Sequence, residues 1–172
     1  VRLNLGSGGR RLDDYTNIDI KPQFVPDIVA DINNLPFPDD IAHIIRMDAV
    51  YEHIYGHRRA DALREWYRVL RPGGKLVINW IPDFEALLGL YGGAGPCEEF
   101  PQFDIEMAKR MLYGIARDEH SLHKDVFSTD KVYSELMEAG FTGIYIVHPI
   151  APGENLSYNI SVSAAKPQCL SG

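Results

Sequence analysis

The sequence predicts an α/β fold: a doubly wound, mostly parallel sheet of about seven strands with an antiparallel C-terminal edge hairpin. Three observations point there. The chain opens on an apolar run that passes straight into a glycine turn, Leu3-Asn4-Leu5-Gly6-Ser7-Gly8-Gly9. Apolar runs then recur at strand length, two of them ending on a carboxylate, Asp19 and Asp31. Finally, a helix-like segment is followed at once by a core-like strand, and two alternating runs close the chain.

Each element follows from its own pattern. After the first strand, Arg10–Tyr15 separate the glycines from Thr16-Asn17-Ile18-Asp19-Ile20, too few residues for a full crossover helix, so that connection must be abbreviated. Asp27–Ile32 reads as a third strand, followed by the turn residues Asn33, Asn34, Pro36 and Pro38. Ala42–Met47 reads as a fourth, interrupted by Arg46, with Asp48–His53 leading off its end. Between Arg58 and Leu70 the residues Ala62, Leu63, Trp66, Tyr67, Val69 and Leu70 recur at helical spacing, and Pro72-Gly73-Gly74 stops the helix before a fifth strand, Lys75–Ile81. Trp66 and Tyr67 belong to the core face of that helix.

From residue 82 to about 124 the pattern loosens. A short helix is expected at Phe84–Leu90 and another at Asp104–Ala116, flanking a Gly/Pro bend at Gly92–Pro96. This segment reads as an insertion covering the site, within a single domain spanning residues 1–172. Trp80, Phe84, Tyr91, Phe100, Phe103 and Tyr113 gather around it and either pack the lid or shape an apolar acceptor pocket. A helix over Ser128–Ala139, capped by Ser128 or Thr129 and ended by Gly140, precedes the last two strands, Gly143–His148 and Ser157–Ala165, joined by a Pro/Gly turn.

Composition narrows the function. The 172 residues carry 17 basic and 24 acidic side chains, a formal charge of −7, so a surface that repels phosphate overall makes nucleic acid a poor partner and a small molecule a better one. No apolar run reaches the length of a membrane span. The two cysteines, Cys97 and Cys169, show neither disulfide nor zinc spacing, which suits a reducing cytoplasm. Val1 already sits in strand-like sequence, so residues before it are expected to have been lost or dispensed with. Nothing in the sequence gives the oligomeric state.

Glycines after a buried strand let a ligand approach the backbone closely. With strands one to three as parallel neighbours, the turn, Asp19 and Asp31 line one rim. There they meet a charged tail, a vicinal diol and an amine-bearing ring; an ionised carboxylate suits a ribose diol because it accepts two hydrogen bonds. A nicotinamide-type fingerprint fits worse, because Arg11 stands at its third glycine and the acidic residue comes too early.

The ordered motifs Leu3-Asn4-Leu5-Gly6-Ser7-Gly8, Asn17-Ile18-Asp19, Asp31-Ile32 with Leu35-Pro36-Phe37, Val50-Tyr51-Glu52-His53, Arg68–Gly74 and Glu138-Ala139-Gly140-Phe141 resemble those of the class I S-adenosylmethionine-dependent methyltransferases of the type 11-like family. The resemblance covers Leu3 to Lys166 and implies a Rossmann-like methyltransferase fold. It implies that Gly6, Ser7 and Gly8 wrap the methionine portion of S-adenosylmethionine, Asp19 and Ile20 hold the ribose, Asp31 and Ile32 meet the adenine, and Met47 lines the reactive end. Asn4 stands where the family usually has an acidic residue, and Arg10 where a further glycine often occurs.

A sulfonium methyl is already activated, so transfer needs chiefly an in-line nucleophile in a site closed to water. The expected function is methyl transfer to a small-molecule or sugar-like acceptor. Candidate bases are His53 and His123, with His120 beside them. His53 also reads as a helix-start residue bonded to backbone, and His120-x-x-His123 as a loop-to-helix packing pair, since no third donor in its sequence neighbourhood completes a metal site. The alternatives are a non-catalytic cofactor-binding module, an aminopropyl transferase on the same sheet, and an interaction protein with an empty pocket.

Overall fold

The computed structural model describes residues 1–93, 105–115, 117–148 and 158–168. Its seven strands are β1 Arg2–Leu5, β2 Thr16–Asp19, β3 Ile28–Val29, β4 Ala42–Asp48, β5 Leu70–Pro82, β6 Thr142–Val147 and β7 Asn159–Ala165. They form one sheet in the order β3-β2-β1-β4-β5-β7-β6. β1 pairs in parallel with β2 and β4, β2 with β3, and β4 with β5, while β7 runs antiparallel to β5 and β6. This is the expected mostly parallel sheet with its antiparallel edge.

The helices are α1 Gly56–Val69, α2 Phe84–Gly93, α3 Ile105–Tyr113 and α4 Thr129–Glu138. α1 buries Ala62, Leu63, Trp66 and Val69 and passes directly into β5. α4 is capped as its sequence predicts: the Ser128 hydroxyl accepts from the Lys131 amide, and Gly140 follows at φ +91°. The main core joins Leu3, Leu5, Ile18, Ile45, Met47, Trp66, Ile78 and Phe127. No helix among the described residues is long and apolar enough to cross a membrane.

Two connections explain how so short an N-terminal half holds its register. Between β1 and β2, buried amides replace a crossover helix. Asn4 Nδ2 donates to Asn17 Oδ1 at 2.9 Å and to the Arg10 carbonyl at 3.0 Å, while Asn17 itself accepts from the Leu12 amide and donates to the Leu12 and Tyr15 carbonyls. An acidic residue at position 4 accepts only, and would lose both donations. After β3, α1 holds the loop: Trp66 Nε1 donates to the Ile32 carbonyl, Glu65 accepts from the Leu35 amide, and Arg68 donates to the Phe37 carbonyl.

β3 is shorter than the expected Asp27–Ile32. Asp27 turns its carboxylate onto the Asn17 amide and side chain, and Asp31 begins a turn closed by the Asn34 amide, so only Ile28 and Val29 remain in the ladder. The Pro/Gly turn before the last strand, and Cys97, Phe100, Phe103 and Cys169, lie outside the described residues, as does part of the Gly92–Pro96 bend.

Candidate active site

The rim is built at the carboxyl ends of β1, β2 and β3. Gly6 and Gly8 take φ of +62° and +49°, conformations that side chains rarely adopt. Their surroundings differ: a Cβ on Gly6 would lie 2.6 Å from Val50 Cγ2, whereas one on Gly8 meets nothing within 4 Å. Gly6 is therefore fixed by packing, and Gly8 faces open space. Asp19 is buried at the end of β2, its Oδ2 accepting from the Gly8 amide at 2.7 Å and its Oδ1 from the Lys21 amide at 2.8 Å. Asp31 accepts from the Asn33 amide and side chain and lies 3.4 Å from Arg58.

Gly6, Gly8, Asp19, Ile20, Asp31 and Ile32 all line one cavity of about 1020 Å³. That is at the upper end of the ~300–1,000 Å³ usual for small-molecule sites. Two expected residues do not reach it. Ser7 is buried beside the turn with its hydroxyl unpartnered among the described residues. Met47 is a correction: it is fully buried, in register with Leu5 and Ile78, because β4 alternates and Ile45 and Met47 share its core side. The cavity wall beyond β4 is made instead by Ala49 and Val50. Arg46, the interruption in β4, is held by a two-pronged pair with Asp48, which also accepts from Asn79.

Two positions on this wall carry backbone strain. Ala49 has φ +52° and Trp80 φ +63°, left-handed values that cost a non-glycine residue about 1–3 kcal/mol. Trp80 sits where the β5–β7 register shifts between Ile78 and Ile81, and the irregularity brings its ring to the cavity, with the Arg10 guanidinium 4.4 Å from the ring centroid. Arg10 thus covers the Trp80 ring without itself lining the cavity.

The far wall joins residues remote in sequence. Glu52 and His53 lie on a 3₁₀ turn, Tyr51–His53, and His123 lies in the segment after α3. The imidazoles meet edge to face with centroids 4.9 Å apart. His53 Nδ1 is 2.9 Å from the Leu122 carbonyl and His123 Nδ1 is 2.8 Å from the Met111 carbonyl. His53 thus anchors the end of its turn, and His123 ties its loop to α3. Glu52, present in the sequence only as part of the Val50–His53 motif with no role of its own, stands within 4.8 Å of both rings through its carboxylate. Burial pushes its carboxyl up to about 8. Burial, aided by neighbouring His53, draws His123 down to about 4, and burial also lowers His53. His120 lines the cavity but is exposed, and does not join this group.

A buried ionic cluster fixes the turn bearing Glu52 and His53. Arg59 donates to Glu135 at 3.0 Å, to Asp125 and to the Ile54 carbonyl, and the Tyr51 hydroxyl donates to Glu135 at 2.6 Å. Above the cavity, α2 and α3 meet in a small apolar cluster of Leu87, Ala108 and Tyr158, and Met111, Ile115 and Arg117 reach the cavity wall.

Residues 5–78 match a family model described as a methyltransferase domain. The ubiquinone/menaquinone biosynthesis C-methyltransferase UbiE of Azotobacter vinelandii is 40% identical over 63 residues, covering 36% of this chain and 24% of that protein. An uncharacterized 37.1 kDa protein in a Streptomyces fradiae transposon is 42% identical over 59 residues, 34% of this chain and 16% of that one. The chain thus spans a quarter or less of the curated relatives it matches. Among solved structures, a SAM-dependent methyltransferase of Thermotoga maritima superposes with a TM-score of 0.68 at 17% identity, covering 96% of this chain and 81% of that one. One from Methanosarcina mazei gives 0.66 at 18% identity, covering 97% and 92%. Residues 5–78 thus carry a likeness to a methyltransferase domain, and over nearly its whole length the chain shares the fold of these S-adenosylmethionine-dependent methyltransferases.

Proposed function

We propose that this chain transfers the methyl group of S-adenosylmethionine to a small-molecule or sugar-like acceptor by direct in-line displacement. The observation that carries the reading is the single cavity rim on which the glycine turn, Asp19 and Asp31 meet across three adjacent parallel strands. When bound, the cofactor supplies an activated methyl: the acceptor's lone pair bonds to the methyl carbon while the carbon–sulfur pair stays on sulfur, leaving S-adenosylhomocysteine.

The chain's own residues fit that ligand. The open side of Gly8 leaves room for the methionine portion against backbone, with Gly6 and the unpartnered Ser7 hydroxyl behind it. Each Asp19 oxygen accepts one amide and keeps a further lone pair for a ribose hydroxyl. Asp31 meets the adenine amine, and Ile20 and Ile32 offer apolar cover. Ala49 and Val50 take the reactive end in place of Met47. From the described part of segment 82–124, Met111, Ile115 and Arg117 offer cover against water. His53 and His123 are the catalytic candidates: a carbonyl can only accept, so each Nδ1 carries hydrogen and each Nε2 a lone pair, open to the acceptor's proton or to a cation.

Incubation with S-adenosylmethionine and a panel of hydroxyl- and amine-bearing small molecules, sugars included, tests the reading by mass spectrometry. One acceptor is expected to gain a methylene while S-adenosylhomocysteine accumulates. Tight S-adenosylhomocysteine binding without turnover on any acceptor would instead mark a binding module, and preference for the decarboxylated cofactor an aminopropyl transferase.

A further inference from the structure

Beyond Val50 the cavity wall holds a donor set that methyl transfer does not require. Glu52 is 2% exposed, and its Oε2 has no hydrogen-bond partner among the described residues. A desolvated carboxylate oxygen left without a partner is unfavourable unless a cation answers it. Its Oε1 lies 3.9 Å from His53 Nε2 and 4.0 Å from His123 Nε2. These separations are too long for hydrogen bonds, so none of the three donors satisfies another.

The second nitrogen of each ring is already committed. His53 Nδ1 faces the Leu122 carbonyl and His123 Nδ1 the Met111 carbonyl, which fixes both tautomers and turns both Nε2 lone pairs toward Glu52. Metal-binding histidines are held in this way, by a carbonyl or carboxylate on the nitrogen away from the ion. All three residues line the cavity, so an ion among them would keep positions open on the cavity side.

We propose that Glu52, His53 and His123 form a binding site for one divalent transition-metal ion in the cavity wall, with its remaining positions open to an oxygen-bearing ligand. Two imidazoles and one carboxylate suit zinc, manganese, iron or cobalt rather than calcium or magnesium, which prefer all-oxygen shells. Bonds of about 2.1 Å set donors roughly 3.0–3.4 Å apart in octahedral or tetrahedral geometry, so each Glu52–histidine separation closes by roughly 0.5–1 Å on binding. The oxygen ligand is a hydroxyl or carboxylate of the methyl acceptor, an identification that rests on the function proposed above; the metal site itself does not.

The test uses the whole chain, stripped with a chelator and titrated with Zn²⁺ by calorimetry and with Co²⁺ by visible absorption. One ion per chain with micromolar or tighter affinity is expected. His123→Ala and Glu52→Gln should each weaken it at least tenfold, and His120→Ala should leave it unchanged, with thermal melting of each metal-free variant checking that it folds. X-ray absorption of the zinc-loaded wild type reads the site without any substitution: two imidazole-type nitrogens and carboxylate oxygen are expected. Absence of binding, affinity indifferent to His123 and Glu52, or a shell without two imidazoles overturns the site. Metal binding without S-adenosylhomocysteine binding would sink the methyltransferase reading and keep the metal; the reverse would sink the metal alone.

Discussion

The two walls of the cavity are made in opposite ways. The rim of Gly6–Gly8, Asp19 and Asp31 is assembled from strand ends that are neighbours both in sequence and in the sheet, and it presents backbone amides and carboxylates already tied to them. The wall of Glu52, His53 and His123 brings together residues about seventy positions apart, and depends on α4, the buried Arg59 cluster and the segment after α3. The rim is therefore a property of the sheet, whereas the far wall is a property of long-range packing. Substitutions should separate the two.

The largest effect is expected at Arg59. Its side chain is 3% exposed and serves Glu135, Asp125 and the Ile54 carbonyl, so Arg59→Met leaves two carboxylates without their shared partner. Urea denaturation should read a loss of about 3–5 kcal/mol. If the walls are independent, the folded variant keeps its S-adenosylhomocysteine affinity while metal affinity falls; equal loss of both would mean that the two walls are coupled.

The glycine turn divides into a packed and an open position. Gly6→Ala forces a Cβ into Val50 at positive φ and should cost about 1–3 kcal/mol of stability. Gly8→Ala meets no neighbour and should cost only about 1 kcal/mol for its backbone, yet reduce S-adenosylhomocysteine affinity by filling the ligand's place. Denaturation and calorimetry on the pair distinguish packing from ligand contact. Away from both walls, Ser128→Ala removes the α4 cap at about 1 kcal/mol with no change in ligand affinity.

The smallest effect is a pH dependence at the β2–β3 connection. The Asn17 amide, followed by Arg11, lowers Asp27 to about 2 from the ordinary 3.8. The stability it contributes is therefore present above the unfolded value and lost as pH falls from about 3.8 toward 2. Asp27→Asn should flatten the stability curve in that window, read by denaturation midpoints across the acid limb.

The sheet and the rim were legible in the sequence because they rest on local signals: period-two runs, a glycine turn, and carboxylates at run ends. Met47 was misplaced although the signal was present, since the alternation Ile45, Arg46, Met47, Asp48 already assigns Met47 to the core face. The third strand was overextended because Asp27 and Asp31 spend their side chains on backbone amides, which periodicity does not reveal. Glu52, His53 and His123 were not legible as a group. Neighbours in sequence supplied no third donor to His120 and His123, and only the approach of the Tyr51–His53 turn to the segment after α3 creates one.

Calorimetric titration of the wild type and of Asp19→Ala with S-adenosylhomocysteine decides whether the rim holds an adenosyl ligand. One site per chain is expected, with Asp19→Ala weakening it by about 2 to 4 kcal/mol through loss of charge-assisted bonds to the ligand and to the Gly8 and Lys21 amides. No heat with the wild type, or an affinity unchanged by the substitution, would contradict the account.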